Sequence, residues 1–401
     1  MIKMAAGTPG SHCGCSARSN GFRGALREGE TVTLEFKAAV FTGPNEPLMI
    51  ETVSLPDRLK PHEVLVKLAA SGVCHSDYHV IKGDWAAPTP MVLGHEGAGE
   101  VVEVGSAVTR VGVDDHVILS WTPSCGHCEF CAKGRPVLCD LANRTAYKHL
   151  SYDGKTRLQL AGKPVHSFLG VGTFGEYSVV HEDAAIPIRR DAPFAQASLV
   201  GCAVTTGIGA VVNTASMKPG ETALIIGCGG VGVNLVQGAR LVGAKQIIAV
   251  DRSDEKLQLA REFGATHLVN AESGSTIDTV MKMTGGRGVD YAFEAIGLPA
   301  TIEEAHACTC RGGATVVVGQ VADDTNIQVN PFVISDQEKR IIGSNYGSCV
   351  TSIDFPRLVD LYMEKKVDLD RLVTNRIKLD DIGSAFDLMK EGKGIRTVIE
   401  Y

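Results

Sequence analysis

Polar and apolar positions alternate in short runs from Leu34 to about Trp121, where EFKAAVF, EVLVKLAASGV, GEVVEVG and DHVILSW are separated by Gly, Pro and charged residues. Runs with this period are half-buried strands, and Pro56, Pro61, Pro88 and Pro90 break them into an irregular, mainly antiparallel β domain. Leu150 to Phe174 is polar. GTFGEYSVVHEDAAIPI then resumes the alternation, so the β domain is expected to continue to about Cys202. At Glu221 the pattern changes. Ala223–Ile226 is a buried strand, a Gly-rich turn follows, about Val231–Leu241 has helical spacing, and Ile247–Val250 is a second buried strand. The rhythm continues through helix EKLQLAREFG, strands THLVN and VDYAFEAIG, helix TIEEAHACT and strand ATVVVGQ. This predicts a doubly wound parallel sheet in an α/β fold. From Tyr346 two helices, FPRLVDLYMEK and IGSAFDLMKEG, and the closing strand RTVIEY return to the first domain. The expected divisions are a tail over 1–33, a first domain over 34–203 and 346–401, and a parallel-sheet domain over 204–345.

Composition narrows the class. A chain of 401 residues with 44% hydrophobic and 21% charged residues is a globular protein of two domains. A net charge of −7 gives no reason to expect nucleic acid. No apolar run is expected to reach the ~18 residues that span a bilayer. The tail is rich in Gly, Ser, Ala and Arg and reads as mobile. It is too Gly-rich and too weakly amphipathic for a transit peptide, and its His12-Cys13-Gly14-Cys15 cluster is assigned no function. Twelve cysteines without a secretory signal pattern argue for reduced thiols, metal ligation and a cytoplasmic location.

The chemistry gathers in GVCHSDYHVIKGDWAAPTPMVLGHE, Gly72 to Glu96. Cys74 and His95 are zinc-type ligands, and a catalytic zinc takes three protein ligands and keeps one position open. Cys202 in LVGCAVTTG is the candidate third ligand. Asp77 is a carboxylate suited to orienting His95. Farther on, Cys125, Cys128, Cys131 and Cys139 are separated by two, two and seven residues on a turn-rich loop. Four thiols so spaced predict a closed, structural Cys₄ zinc site. The ferredoxin pattern differs, because there the fourth Cys follows after three residues and precedes Pro.

The turn after the first parallel strand reads Gly227-x-Gly229-x-x-Gly232, with Gly230 and Val231 opening the helix. Gly227 permits the tight turn, Gly229 lets a pyrophosphate approach, and Gly232 lets helix and strand pack closely. Asp251 ends the next strand 24 residues after Gly227. It should accept hydrogen bonds from the adenosine ribose and repel a 2′-phosphate, which favours NAD over NADP even with Arg252 beside it.

From about Leu34 to Tyr401 the chain resembles the zinc-dependent medium-chain alcohol dehydrogenases. GVCHSDYH, GHEGAG, CGHCEFCAKGRPVLC, GCAVTTG, GCGGVG, Asp251 and GIRTVIEY carry the resemblance. It implies a GroES-like catalytic domain beside a Rossmann domain, and catalytic zinc held by Cys74, His95 and Cys202 with Glu96 close by as an occasional ligand. It also implies that Ser76 takes the alcohol proton and that His79 passes it, through the nicotinamide ribose, to water. Thr206, Lys256 and Arg396 then contact nicotinamide, ribose and pyrophosphate. His75 stands where many relatives carry Arg, which would loosen NADH. Trp85, Trp121, Phe168 and Leu169 fall at pocket positions and imply an apolar, aromatic-lined channel. The 62 residues between Cys139 and Cys202 leave room for the long loop of dimeric members, so a homodimer is expected before a tetramer.

The resulting expectation is an NAD-dependent alcohol dehydrogenase for medium-sized apolar or aromatic alcohols. The alternative is a formaldehyde dehydrogenase oxidising a hydroxymethyl-thiol adduct, for which Arg144 and Lys148 are the nearby cations. A nicotinoprotein, a zinc-free quinone reductase and a non-catalytic NAD-binding protein are further readings, and the zinc ligands and proton relay argue against the last two.

Overall fold

The computed structural model describes residues 33–322 and 324–401. The expected tail and its His12-Cys15 cluster lie outside the described residues, apart from residue 33. Three sheets organise the rest. Strands Leu34–Phe41, Met49–Leu55, Leu158–Leu160, Lys163–Ser167 and Met91–Val92 close a small barrel. Beside it, a seven-stranded sheet is centred on Glu63–Val73, which pairs antiparallel with Glu96–Val104, Tyr177–His181 and Arg396–Glu400. The chain's last strand therefore lies against the strand that leads into Cys74, and the pairing Thr397↔Val73 carries Arg396 to the level of Cys74.

The third sheet has six parallel strands in the order His267–Asn270, Gln246–Asp251, Thr222–Ile226, Val289–Glu294, Thr309–Val317, Arg340–Gly343. Its direction of winding reverses between Thr222–Ile226 and Val289–Glu294, and dinucleotides bind at the carboxyl ends of strands on either side of such a switch. Gly227 and Ile296 meet there, with room for no side chain on Gly227: a Cβ would stand 2.6 Å from Ile296 Cγ1.

Several elements differ from the sequence reading. The β alternation ends at strand Ala185–Pro187, and a continuous helical segment, Phe194–Thr214, carries Cys202 and crosses the expected boundary at 203/204. At 21 residues and a mean hydropathy of 1.6 it is long and apolar enough to cross a membrane, contrary to the expectation that no run would be. The fold buries 89% of its most apolar window, so it is a core helix, packed between the two larger sheets' domains. The polar stretch before Phe174 contains the hairpin Leu158–Leu160/Lys163–Ser167. HSDYHVIK after Cys74 is a helix, closed by Gly83 in the left-handed region at φ 82°. The helix Thr276–Met283 and strand Arg340–Gly343 had no reading of their own, because their apolar faces are short.

Candidate functional site

Three different elements converge on one buried point. Cys74 ends strand Glu63–Val73, His95 and Glu96 open the neighbouring strand, and Cys202 sits in the core helix. One ligand atom from each lies within 4.8 Å of the others, and all four residues are buried. Gly72 makes the approach possible, since a Cβ there would stand 2.1 Å from Glu96 Oε2. In the core helix, Val200–Val204 is a π turn, with the Thr205 hydroxyl donating to the Val200 carbonyl at 2.6 Å. A π turn adds a residue to the helical repeat and re-aims the side chain it carries. That side chain is Cys202.

Asp77 holds two of these residues at once. Its Oδ2 accepts the Cys74 N–H at 3.0 Å, and its Oδ1 accepts the Gly94 N–H at 3.1 Å and faces His95 Nδ1 at 3.2 Å. With Nδ1 so occupied, the lone pair of His95 Nε2 is left for another partner. Among the described residues that nitrogen has none, nor has Glu96 Oε1, and both are buried. Buried polar atoms are rarely left so. The Cys74 thiol is held well below its usual range by the hydrogen bond from Cys202, against the effect of burial, while Cys202 is pushed up by the same pairing and by burial. Burial works against a charged His95, but the Asp77 carboxylate and Cys74 outweigh it and raise the ring's pKa. Two thiols, an orphaned imidazole nitrogen and an orphaned carboxylate oxygen are a donor set that fits zinc.

The second group fits as well. Cys125, Cys128, Cys131 and Cys139 place their sulfurs within 4.8 Å of one another. Zinc–sulfur bonds of about 2.3 Å put tetrahedral sulfurs about 3.8 Å apart. Cys125–Cys131 and Cys128–Cys139 are both 4.0 Å apart. Backbone N–H groups of Cys128 and Cys125 donate to Cys125 and Cys139 sulfurs at 3.3 and 3.4 Å. Hydrogen bonds, led by the backbone at Cys131, lower the Cys128 thiol to about 6.

The dinucleotide crevice is shaped by its glycines. A Cβ on Gly229 would meet nothing within 4 Å, leaving the open cradle a pyrophosphate needs, whereas one on Gly232 would stand 1.7 Å from the Gly227 carbonyl. Helix Gly230–Leu241 starts at this cradle and points its N–H groups into it. Val231 is half-buried in its first turn. Asp251 accepts the Cys228 N–H at 2.8 Å and the Ser253 N–H at 3.0 Å, which brings its carboxylate to the rim. Arg252 is exposed, and its carbonyl accepts from Asn270 Nδ2 at 3.2 Å. Lys256 lies one turn into the next helix, half-buried, and Thr206 is half-buried one helical turn beyond Cys202. His75 is exposed at the start of helix His75–Lys82.

Arg396 is buried and pairs with Glu96 Oε2, and its side chain lies so close over Gly230 that a Cβ there would be 2.6 Å from Arg396 Cδ. It thus spans the Cys74–His95–Glu96–Cys202 group and the glycine turn. Burial raises Glu96 to about 7 against the pull of Arg396.

Ser76 is half-buried, with its Oγ 3.8 Å from Cys74 Sγ. His79 Nδ1 pairs with Asp84 Oδ2 at 2.8 Å, and its ring stacks on Trp85 at 4.7 Å. The Phe168 and Trp121 rings meet His95 edge-on at 5.5 and 6.4 Å, and Leu169 follows Phe168 in a left-handed turn at φ 48°. Sequence reasoning missed Asp84, His149, Tyr346 and Tyr147. Tyr346 stacks on Trp121 at 3.9 Å and donates to the Gly201 carbonyl, while Tyr147 OH accepts from Asn345 Nδ2 at 2.9 Å. No motif spacing signals them: Asp84 lies only five residues past His79 but in no recognised pattern, and the other three reach their partners from other segments.

Known proteins agree with this architecture. Residues 60–190 match the family described as "Alcohol dehydrogenase GroES-like domain" and residues 230–364 the family described as "Zinc-binding dehydrogenase". An S-(hydroxymethyl)glutathione dehydrogenase of Escherichia coli O1:K1 is 41% identical over 376 residues, covering 92% of this chain and 100% of that protein. An alcohol dehydrogenase zinc-binding domain protein from Burkholderia ambifaria is similar with a TM-score of 0.88 at 34% identity, over 92% of this chain and 99% of its own. Benzyl alcohol dehydrogenase from Acinetobacter calcoaceticus has a TM-score of 0.86 at 30% identity, over the same shares, 92% and 99%. Similarity of this extent, along both larger domains and through both cysteine groups, places the chain in the zinc-dependent medium-chain alcohol dehydrogenase family, as an NAD- and zinc-dependent oxidoreductase that interconverts alcohols with aldehydes or ketones.

Proposed function

We propose that the chain oxidises medium-sized primary alcohols with apolar or aromatic tails. The observation that carries this reading is the ring of aromatic side chains against ligand His95: Phe168 at 5.5 Å, Trp121 at 6.4 Å, and Tyr346 stacked behind Trp121 at 3.9 Å. Such a wall favours a flat or unbranched tail and gives a remote charged group no partner.

In this reading Cys74, His95 and Cys202 hold the catalytic zinc, with Glu96 beside them, and Cys125, Cys128, Cys131 and Cys139 hold the structural one. When bound, the catalytic ion makes a hydroxyl at the site acidic enough to lose its proton near neutral pH. Ser76 receives that proton. His79 hands it on toward solvent, and Asp84 fixes the ring by its 2.8 Å bond to Nδ1, leaving Nε2 to carry it. Gly227, Gly229, Gly230, Val231 and Gly232 seat the dinucleotide's phosphates, and Asp251 and Lys256 its adenosine ribose. Thr206 faces the nicotinamide, and Arg396, from its place on Glu96, and His75 serve the pyrophosphate. Trp85, Trp121, Phe168 and Leu169 bound the substrate, and Asp77 orients the ligands. Residues 34–203 with 346–401 form the catalytic domain and 204–345 the NAD domain, in keeping with the separate sheets.

A second reading, oxidation of a hydroxymethyl-thiol adduct, draws support from the 41% identical relatives named for that activity. It would use Arg144 and Lys148, both exposed. Initial rates of NADH formation with ethanol, hexanol, benzyl alcohol and formaldehyde plus glutathione separate the two. The aromatic wall predicts that kcat/KM for benzyl alcohol exceeds that for ethanol by about tenfold or more, the scale of a few buried methylenes. Glutathione-dependent formaldehyde oxidation faster than any alcohol would reverse the assignment.

A homodimer suits the outer strand Arg340–Gly343, whose free edge carries half-open Ile341, with Phe332 and Ile353 exposed nearby. A cytoplasmic location suits the ten described cysteines, all free.

A further inference from the structure

The turn Phe168–Gly170 forms one wall of the proposed substrate pocket; Phe168 is buried in the core, while Leu169 and Gly170 border open space. A cavity of about 320 Å³ lies there, lined by Ala146, Leu150, Leu169, Gly170, Val171 and Val180 among others. The turn is also unrelaxed, because Leu169 sits at φ 48°, ψ 30°, where a non-glycine residue stays only if its surroundings hold it. His149 makes three of the contacts that hold it. The His149 ring stacks on Phe168 with centroids 5.4 Å apart, its Nδ1 accepts the Leu169 N–H at 3.2 Å, and its carbonyl accepts the Ser167 N–H at 3.3 Å.

From these three contacts we infer that His149 is a positioning residue that sets the selectivity of the enzyme for bulky over small alcohols, by latching Phe168 and Leu169 in place beside the cavity that Leu169 borders. The inference rests on the reading of Phe168 and Leu169 as substrate wall. Its chemistry requires a neutral ring whose Nδ1 is free to accept. Burial, with His166 and Lys148 nearby, lowers the ring's pKa to about 4, which keeps Nδ1 available throughout the neutral range. His149 itself stands at φ 62°, a conformation open to Gly and Asn.

The test compares wild type with His149→Gly, which removes the ring and its acceptor but suits the backbone, and His149→Asn, which restores a side-chain acceptor. In H149G the latch is gone and the wall can relax into the cavity. KM for benzyl alcohol should rise about tenfold, the scale of one or two apolar contacts. Ethanol, too short to reach the wall, should keep its KM within about twofold, as expected for a change remote from its contacts. In both cases kcat, zinc content and NADH affinity should hold. H149N should recover part of the benzyl alcohol KM, which general loosening of the fold would not produce. An unchanged benzyl-to-ethanol ratio in H149G overturns the inference. Leu169→Ala, measured alongside, tells why: if it shifts the ratio, only the latch has failed, and if it does not, the substrate-wall reading has failed with it.

Discussion

Asp251 has two duties that a ribose contact alone would not suggest. Its oxygens already hold the N–H groups of Cys228 and Ser253 at 2.8 and 3.0 Å, so the residue proposed to select the cofactor also braces the glycine turn. Replacing it by Ser should therefore raise KM for NAD as well as relax the preference against NADP. Loss of charged hydrogen bonds costs about 1.5–3 kcal/mol, so a weakening of roughly ten- to a hundredfold is expected in kcat/KM for NAD. Steady-state rates with both cofactors would check it, and an unchanged ratio of the two would remove the ribose role. Arg396 shows the limit of residue-level reading. A cation near the chain's end was legible as a phosphate contact, but its ion pair with Glu96, 300 positions away in sequence, depends on the pairing of its strand with Glu63–Val73. A shorter separation is enough to hide His149, whose partner Leu169 N–H is 20 residues away on another turn.

At the scale of elements, the sequence exposes what has a local period or a fixed spacing. The glycine turn between strand and helix, and the four cysteines of the 125–139 lobe, were readable because their geometry is fixed by neighbours in the chain. The π turn at Val200–Val204 was not, because its apolar residues are buried on all sides and their pattern carries no face. The lobe's few buried apolar residues make metal its main support, since Glu129–Ala132 buries none of its four residues. Changing Cys131 to Ser should lower bound zinc from about two ions per chain to about one, the loss expected of a structural site missing a ligand. The Lys133–Gly134 bond should then become cleavable by trypsin. Metal analysis with limited proteolysis would show both effects, and two retained ions would contradict a four-thiolate site.

For the whole molecule, the parallel sheet ends in a short outer strand, Arg340–Gly343, with Ile341 37% exposed on it and Phe332 70% exposed beside it. Sheet edges with apolar side chains pair unless charge or cover prevents it. If this edge joins two copies, Ile341→Lys should convert a particle of twice the chain mass into one of 42.5 kDa in light scattering. A mass unaffected by the change, or a wild-type monomer, would rule this edge out. What the sequence determined by itself was whatever neighbouring residues fix: two classes of sheet, the dinucleotide turn, the tetrathiolate lobe, and Cys74 and His95 as ligand types. Only the tertiary structure decided how Cys202 is aimed, why Arg396 lies between Glu96 and Gly230, and that His149 stands against Phe168 and Leu169. Those contacts join segments brought together by strand register and helix packing, and no local spacing encodes which distant residue will stand opposite.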